Sequence, residues 1–314
     1  MNRTLPKLLA LTFCCWLSLV GLATAAGPGA DAARLVAVRA RPGGDELVVG
    51  TGSHLRRLYK VPATRGERFP GQRTLSDTAV SADGREALVS QVGAVPYHAL
   101  VVVDLASGRA RLLQIHHRYG EHPAFLAGGK IVFSSPDVRK PPGSNIAHDH
   151  PGGTYLLDPR TGSMERLFAR PEIAANPDGR WFLAKGSGPR GLVLLDRAGR
   201  VVRRLAPRAS RGSYLEEAAF SPQGERILLT ERSSATDDGT LYLASGDGTA
   251  RRRLTHGLGS VSGASFSPDG RRVIYTLAGE GGGAGEIRSA SVRRPAVSHR
   301  ESRETAFEFP VLLP

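Results

Sequence analysis

Phe266-Ser267-Pro268-Asp269-Gly270-Arg271-Arg272-Val273-Ile274-Tyr275 reads as two apolar strands joined by a tight turn. Pro presets φ at the second turn position, Ser and Asp accept hydrogen bonds from nearby main-chain N–H groups, and Gly takes the left-handed position that ends the turn. Apolar stretches on both sides make it a β-hairpin. Three further copies are Ser81-Ala82-Asp83-Gly84, Asn176-Pro177-Asp178-Gly179 and Ser221-Pro222-Gln223-Gly224. Two degenerate copies are Arg41-Pro42-Gly43-Gly44 and Leu126-Ala127-Gly128-Gly129. The turn glycines Gly44, Gly84, Gly129, Gly179, Gly224 and Gly270 are spaced by 40, 45, 50, 45 and 46 residues. A period of that size means a repeat architecture.

A second hairpin follows the first in most units. Val101-Val102-Val103-Asp104-Leu105-Ala106-Ser107-Gly108 leads into Arg109-Ala110-Arg111-Leu112-Leu113, and Leu192-Val193-Leu194-Leu195-Asp196-Arg197-Ala198-Gly199 leads into Val201-Val202-Arg203-Arg204-Leu205. Tyr155 to Phe168 and Leu241 to Thr255 repeat the pattern, the latter through Arg251-Arg252-Arg253-Leu254-Thr255. Each unit therefore has four strands, a to d from the inside out. Four strands per unit at this period is a propeller blade. The fold class expected is all-β, a six-bladed β-propeller of four-stranded antiparallel blades.

The Ser-Pro-Asp-Gly turn, the strand after it and the later Arg-Arg-Leu-Thr element resemble the TolB-type propeller repeat. Similar repeats occur in oligogalacturonate lyases and in the propellers of prolyl oligopeptidases. The resemblance covers residues 34 to 302, and it implies the fold more than the activity, since one fold hosts many activities. It departs from TolB at the N-terminus, where TolB carries a separate α/β domain and this chain has about eight residues between its leader and the first strand. No G-x-S-x-G nucleophile elbow is present, so the prolyl oligopeptidase chemistry is excluded.

Residues 1–26 read as a secretory signal peptide: Arg3 and Lys7, an apolar run from Leu8 to Leu22, then Ala23-Thr24-Ala25. Uncleaved, the run is about long enough to span a bilayer; the small residues that follow favour cleavage and no stable membrane insertion. Cys14 and Cys15 are the only cysteines and lie inside this segment, so the mature chain has no disulfide. Residues 27–314 then form a single propeller domain, periplasmic or secreted and monomeric.

The formal net charge is +13 and only five of the cations are lysines. After export the anionic partners are lipopolysaccharide, an anionic glycan or an acidic protein surface; an evenly spread surface charge is the alternative. Nucleic acid is not expected, because no basic run exceeds Arg251-Arg252-Arg253 and no aromatics are interleaved for base stacking.

Strand direction alternates within a blade. The a–b and c–d turns lie on one face, and the b–c and d–a loops on the other. On this scheme Arg34 to Ala40 is the first inner strand, and Thr305 to Leu313 either completes the last blade or pairs with the first. His54, His98, His148 and His150 fall in or beside b–c loops, and His116, His117, His122 and His256 in d–a loops; His299 is unplaced. The third blade is irregular. Gly129 to Gly162 spans 33 residues, against 24 in the second and fifth blades and 20 in the fourth. Its long b–c loop carries His148-Asp149-His150, and the d–a loop entering it carries His116, His117 and His122. Those five histidines are the candidate ligands of a divalent metal, Zn²⁺ or Mn²⁺; His148 and His150 point to one side of an extended segment and a third ligand would come from the other loop. Solvated loop histidines are the alternative. Asp237-Asp238 and Glu216-Glu217, near Tyr214 and Arg211, are candidate acid–base or Ca²⁺ pairs or solvated loops, and Trp181 is expected in packing.

The expected function is a non-catalytic binding or protein-interaction module of the cell envelope, its ligand over the central channel on the histidine-bearing face. The partner is an envelope protein or an anionic glycan. The competing reading is a metal-dependent polysaccharide lyase or hydrolase with its site on the third blade.

Overall fold

The structure is a computed structural model. It describes residues 34–39, 41, 44–51, 54–61, 74–92, 99–116, 118–137, 151–186, 191–205, 212–236, 238–255, 260–277, 286–293, 298–301 and 307–313. These residues form twenty-four strands in six four-stranded antiparallel sheets. The chain opens with β1 (Leu35–Arg39), β2 (Glu46–Thr51) and β3 (His54–Lys60). The second blade is β4 (Thr74–Val80), β5 (Glu86–Val92), β6 (Ala99–Asp104) and β7 (Ala110–Leu113); the third is β8 (Glu121–Phe125), β9 (Ile131–Ser135), β10 (Gly153–Leu157) and β11 (Met164–Phe168). The fourth holds β12 (Glu172–Ala175), β13 (Trp181–Lys185), β14 (Leu192–Asp196) and β15 (Val201–Leu205), and the fifth β16 (Ser213–Phe220), β17 (Arg226–Ser233), β18 (Gly239–Ser245) and β19 (Arg251–Arg253). The sixth is β20 (Val261–Phe266), β21 (Arg272–Leu277), β22 (Glu286–Ser291) and β23 (Ser298–Arg300), after which β24 (Phe307–Leu312) returns to β1.

That return corrects the expected order of the first blade. β24 pairs antiparallel with β1 through Leu35↔Leu312, Val36↔Val311, Val38↔Glu308 and Arg39↔Phe307. It touches β20 on one side and β4 on the other, as an innermost strand must. β1 is therefore the second strand of its blade, not the inner one. Pairing the two ends of the chain removes an open sheet edge. The Gly44 turn between β1 and β2 consequently belongs to the loop face: Asp45, beside it, accepts the main-chain N–H of Leu75 near the start of β4 (3.0 Å). His54 moves the other way. It opens β3, paired with Thr51, in what is now the c–d hairpin, so it sits exposed on the turn face.

Period-two alternation explains how the blades stack. Every sheet is buried on both faces, so alternate residues serve opposite neighbours. In β1, Val36 and Val38 pack with Leu75, Val89 and Val101 of the second blade, whereas Leu35 and Ala37 pack with Ile274 and Ile287 of the sixth. In β6, Val101 and Val103 face back to the first blade while Leu100 and Val102 face Phe133 and Tyr155 of the third. Fully burying one such Leu, Val or Phe side chain contributes about 1.5–3 kcal/mol. Trp181, expected in packing, lies against the cluster shared by the fourth and fifth blades.

The arginines of the outermost strands have a shared task. Arg56 of β3 donates through Nη2 to the carbonyls of Leu105 and Ala106, in the c–d turn of the next blade (3.1 Å each). Arg111 of β7 reaches Pro159 O (3.1 Å), Arg203 of β15 approaches Asp247 (4.0 Å), and Arg252 of β19 donates to Val292 O. Four outer strands thus staple themselves to the following blade. A guanidinium, with its forked donors, suits this contact better than an ammonium. Part of the excess of arginine over lysine is structural.

Candidate functional site

The inner strands β4, β8, β12, β16, β20 and β24 each touch the next and enclose the central channel. Each also breaks register against its neighbour: at Ser76/Thr78, Glu121/Ala124, Glu172/Ala174, Leu215/Glu217, Ser262/Ser265 and, in the first blade, opposite Val36/Val38. A bulge twists a strand and re-aims its side chains. In five blades the residue seven before the turn glycine lies at this break: Asp77, His122, Glu172, Glu217 and Gly263. Asp77, His122 and Gly263 take left-handed φ of 49°, 49° and 57°. Four ionisable side chains from four consecutive blades thus share one level, in the loop-face half of the inner strands.

Two of the carboxylates cap the next blade. Asp77 Oδ2 accepts the main-chain N–H of His122 (3.3 Å), and Glu217 Oε2 accepts that of Gly263 (2.9 Å). In both cases the donor belongs to a bulged residue in the left-handed region, whose N–H has left the sheet ladder. Burial pushes the Glu217 carboxyl up to about 6, with Glu216 and Asp77 adding to the rise and the Gly263 N–H opposing it. Glu121 is likewise raised, first by burial and then by Asp77. Glu216 pairs with Arg232.

Glu172 is fully buried between the third and fourth blades. Its Oε2 meets Thr154 Oγ1, which also accepts the Glu172 main-chain N–H (3.1 Å) and lies 2.7 Å from Arg170 O. The hydroxyl has one proton, and Arg170 O can only accept it. The contact with Oε2 is then satisfied by a proton on Glu172. Burial raises the Glu172 carboxyl to about 8, with Glu121 adding to the rise and the Thr154 hydroxyl and the Glu172 main-chain N–H opposing it, so the acid is protonated at neutral pH. Oε1 has no hydrogen-bond partner among the described residues.

At the third blade the two irregular loops meet at their bases. The Tyr119 N–H donates to Ser135 Oγ (3.2 Å), the Gly152 N–H to Asp137 Oδ1 (3.3 Å), and Arg118 lies over the Tyr155 ring, 4.8 Å from its centroid. The Tyr155 hydroxyl donates to Pro151 O, and Arg166 to Gly152 O. Of the five candidate histidines, two are described. His116 is exposed, with φ of 50°; His122 is partly buried, its Nδ1 3.3 Å from Ser134 Oγ. No hydrogen bond joins these two among the described residues. His117, His148 and His150 lie outside the described residues, as do His98, His256 and Asp237. Among the described residues, no three His, Cys, Asp or Glu side chains are grouped to hold a metal ion.

Sequence reading singled out His122 and Glu217 at this level and missed Asp77, Glu121 and Glu172. For Asp77 and Glu172 the signal was available: counting back seven residues from the six turn glycines finds an acid or histidine four times.

Six four-stranded blades around a channel, closed by pairing the chain's two ends, define a TolB-like six-bladed propeller fold. TolB from Acinetobacter baumannii superposes with a TM-score of 0.67 at 18% identity, over 90% of this chain and 67% of that one. A TolB candidate from Agrobacterium tumefaciens gives 0.57 at 14%, over 87% and 89%, and Kuenenia stuttgartiensis hydrazine synthase gives 0.62 at 14%, over 90% of this chain and 46% of that one. At these identities the likeness is one of fold. The sequence matches no family model and no curated relative.

Proposed function

We propose that this propeller is a non-catalytic binding module of the cell envelope that docks a partner protein over the loop-face mouth of its channel. The observation that carries the reading is the level of Asp77, His122 and Glu217: three blades place part-exposed ionisable groups at one height of the channel, in a chain whose net charge is otherwise strongly positive. Rigid blades hold the loops of six repeats around that depression, so many weak contacts converge. The bases of the third-blade loops, joined at Tyr119 and Ser135, lie on the same face. The TolB fold likeness and the apolar leader favour the periplasm. The carboxylates favour a protein partner with basic groups over an anionic glycan at this face.

Charge reversal on the two faces tests this. Lys185, exposed at the loop-face end of β13, and Lys130, exposed in the a–b turn of the third blade, are each changed to Glu. Capture of a stoichiometric partner from an envelope extract is expected to change with Lys185→Glu and to survive Lys130→Glu. The reverse pattern, or no partner, contradicts the proposal.

A further inference from the structure

A second feature lies on the opposite face. A cavity of about 310 Å³ opens between the a–b turns of the fifth and sixth blades, lined by Gln223, Glu225 and Arg226 on one side and by Asp269, Arg271 and Arg293 on the other. Two pairs of neighbouring turns are bridged. The Ala127 N–H donates to Pro177 O (2.8 Å) across the third and fourth blades, and Asn176 Nδ2 to Gly224 O (3.4 Å) across the fourth and fifth. At the fifth and sixth blades each turn satisfies itself. Ser221 Oγ accepts the Arg226 N–H (3.1 Å) and Ser267 Oγ the Arg272 N–H (2.9 Å), and among the described residues no backbone hydrogen bond joins the two turns. The two turns themselves are joined by no such bond, although the Gln223 side chain lies against Gly270 and Arg252 joins the same two blades at Val292 O.

Three guanidinium groups border this opening. Among the described residues, the side chains of Arg226 and Arg293 have no hydrogen-bond or ion-pair partner. Arg271 feels Asp269, whose carboxylate is held by the Ser267 hydroxyl (2.6 Å) and the Arg271 main-chain N–H (2.9 Å). Those bonds keep the Asp269 pKa below its ordinary value, so the acid belongs to its turn. What remains is a polar recess with forked cationic donors on both walls, three guanidinium groups against the Glu225 carboxylate. Arginine forks match a carboxylate or phosphate bidentately. The volume is at the lower end for small-molecule sites, enough for about one ring. With Gln223 among its lining and Val292 its one apolar side chain, it suits a hydroxylated body rather than an aromatic one.

We propose that this recess binds an oxyanion carried on a single sugar ring, a uronate, through Arg226, Arg271 and Arg293. The site is on the other face from the channel mouth and stands or falls separately from the docking proposal.

Titration calorimetry with glucuronate, glucose 6-phosphate and glucose tests it on the full folded chain. Glucuronate is expected to bind and glucose not. The double variant R226Q/R293Q is expected to weaken glucuronate at least tenfold, while K130Q, on the same face two seams away, leaves it unchanged. All three positions are exposed, so folding is checked by an unaltered urea midpoint. No glucuronate binding, or binding indifferent to R226Q/R293Q, overturns the site. Tighter binding of glucose 6-phosphate than of glucuronate overturns the uronate in favour of a phosphate.

Discussion

The Glu217 carboxylate accepts the main-chain N–H of Gly263 at 2.9 Å, across the seam between the fifth and sixth blades, as Asp77 accepts that of His122 between the second and third. One acid thus does two things. It satisfies a donor that the bulge has taken out of the sheet ladder, and it sets a charge at a fixed level of the channel. The two roles separate on substitution. Glu217→Gln keeps an acceptor for Gly263 and removes the charge, whereas Glu217→Ala removes both. A part-buried donor left without a partner costs about 1–3 kcal/mol. Glu217→Ala is therefore expected to unfold at lower urea than Glu217→Gln, by about 1 kcal/mol or more. Equal midpoints for the two variants would show that the cap contributes nothing.

Glu172 gives the fold a pH dependence of definite sign. Its folded pKa is about 8 and that of Glu217 about 6, both above the ordinary 4.5. The folded chain holds protons that the unfolded chain releases. Their stabilisation is fully present below about pH 4.5 and is lost as pH rises through 6 and then through 8. In Glu172→Gln, an amide N–H can donate to Thr154 Oγ1 as the protonated acid does, with nothing to ionise. The variant is expected to lose less stability than the parent between pH 6 and pH 9, measured by urea midpoints. Parallel pH profiles would refute the protonated assignment.

The outer-strand arginines predict a difference between cations. Arg56→Lys keeps the charge but offers no planar fork for Leu105 O and Ala106 O. A net loss of about 1 kcal/mol is expected, typical of one intramolecular hydrogen bond. Arg111→Lys weakens the following seam at Pro159, and a double variant is expected to show nearly additive losses, because the two contacts share no partner. An Arg56→Lys chain as stable as the parent would assign the arginine excess to something other than the staples.

Closure by β24 predicts complementation. A chain ending at residue 304 lacks the strand that pairs with β1 and touches both β20 and β4. It is expected to lose its cooperative urea transition, and a synthetic peptide of residues 305–314 to restore it. An unchanged transition without the peptide would show that β24 is dispensable.

The fold was largely legible because its turns are local chemistry. Gly84, Gly179, Gly224 and Gly270 have φ near +70°, which a side chain resists, so glycine marks each a–b turn wherever it recurs. The closure was not legible, because β24 meets β1 with the whole chain between them and no turn residue records the pairing. Gly44 misled for the same reason: a tight hairpin carries glycine whether it joins the first and second strands of a blade or the second and third. The acids at the bulges were obscured differently. A bulge interrupts the alternation that reveals a strand, so Asp77, Glu121 and Glu172 read as polar residues near strand ends. The third-blade loops were legible as an irregularity of spacing, and the structure joins their bases at Tyr119 and Ser135.

The most direct measurement of the central claim is a crosslinking map in the cell that makes the protein. A photoreactive residue replaces Tyr119 or Lys185 on the loop face, and Arg85 or Lys130 on the turn face. One discrete crosslinked protein is expected from Tyr119 and Lys185, and none from Arg85 and Lys130. Crosslinks confined to Arg85 and Lys130, or absent from all four, would contradict it.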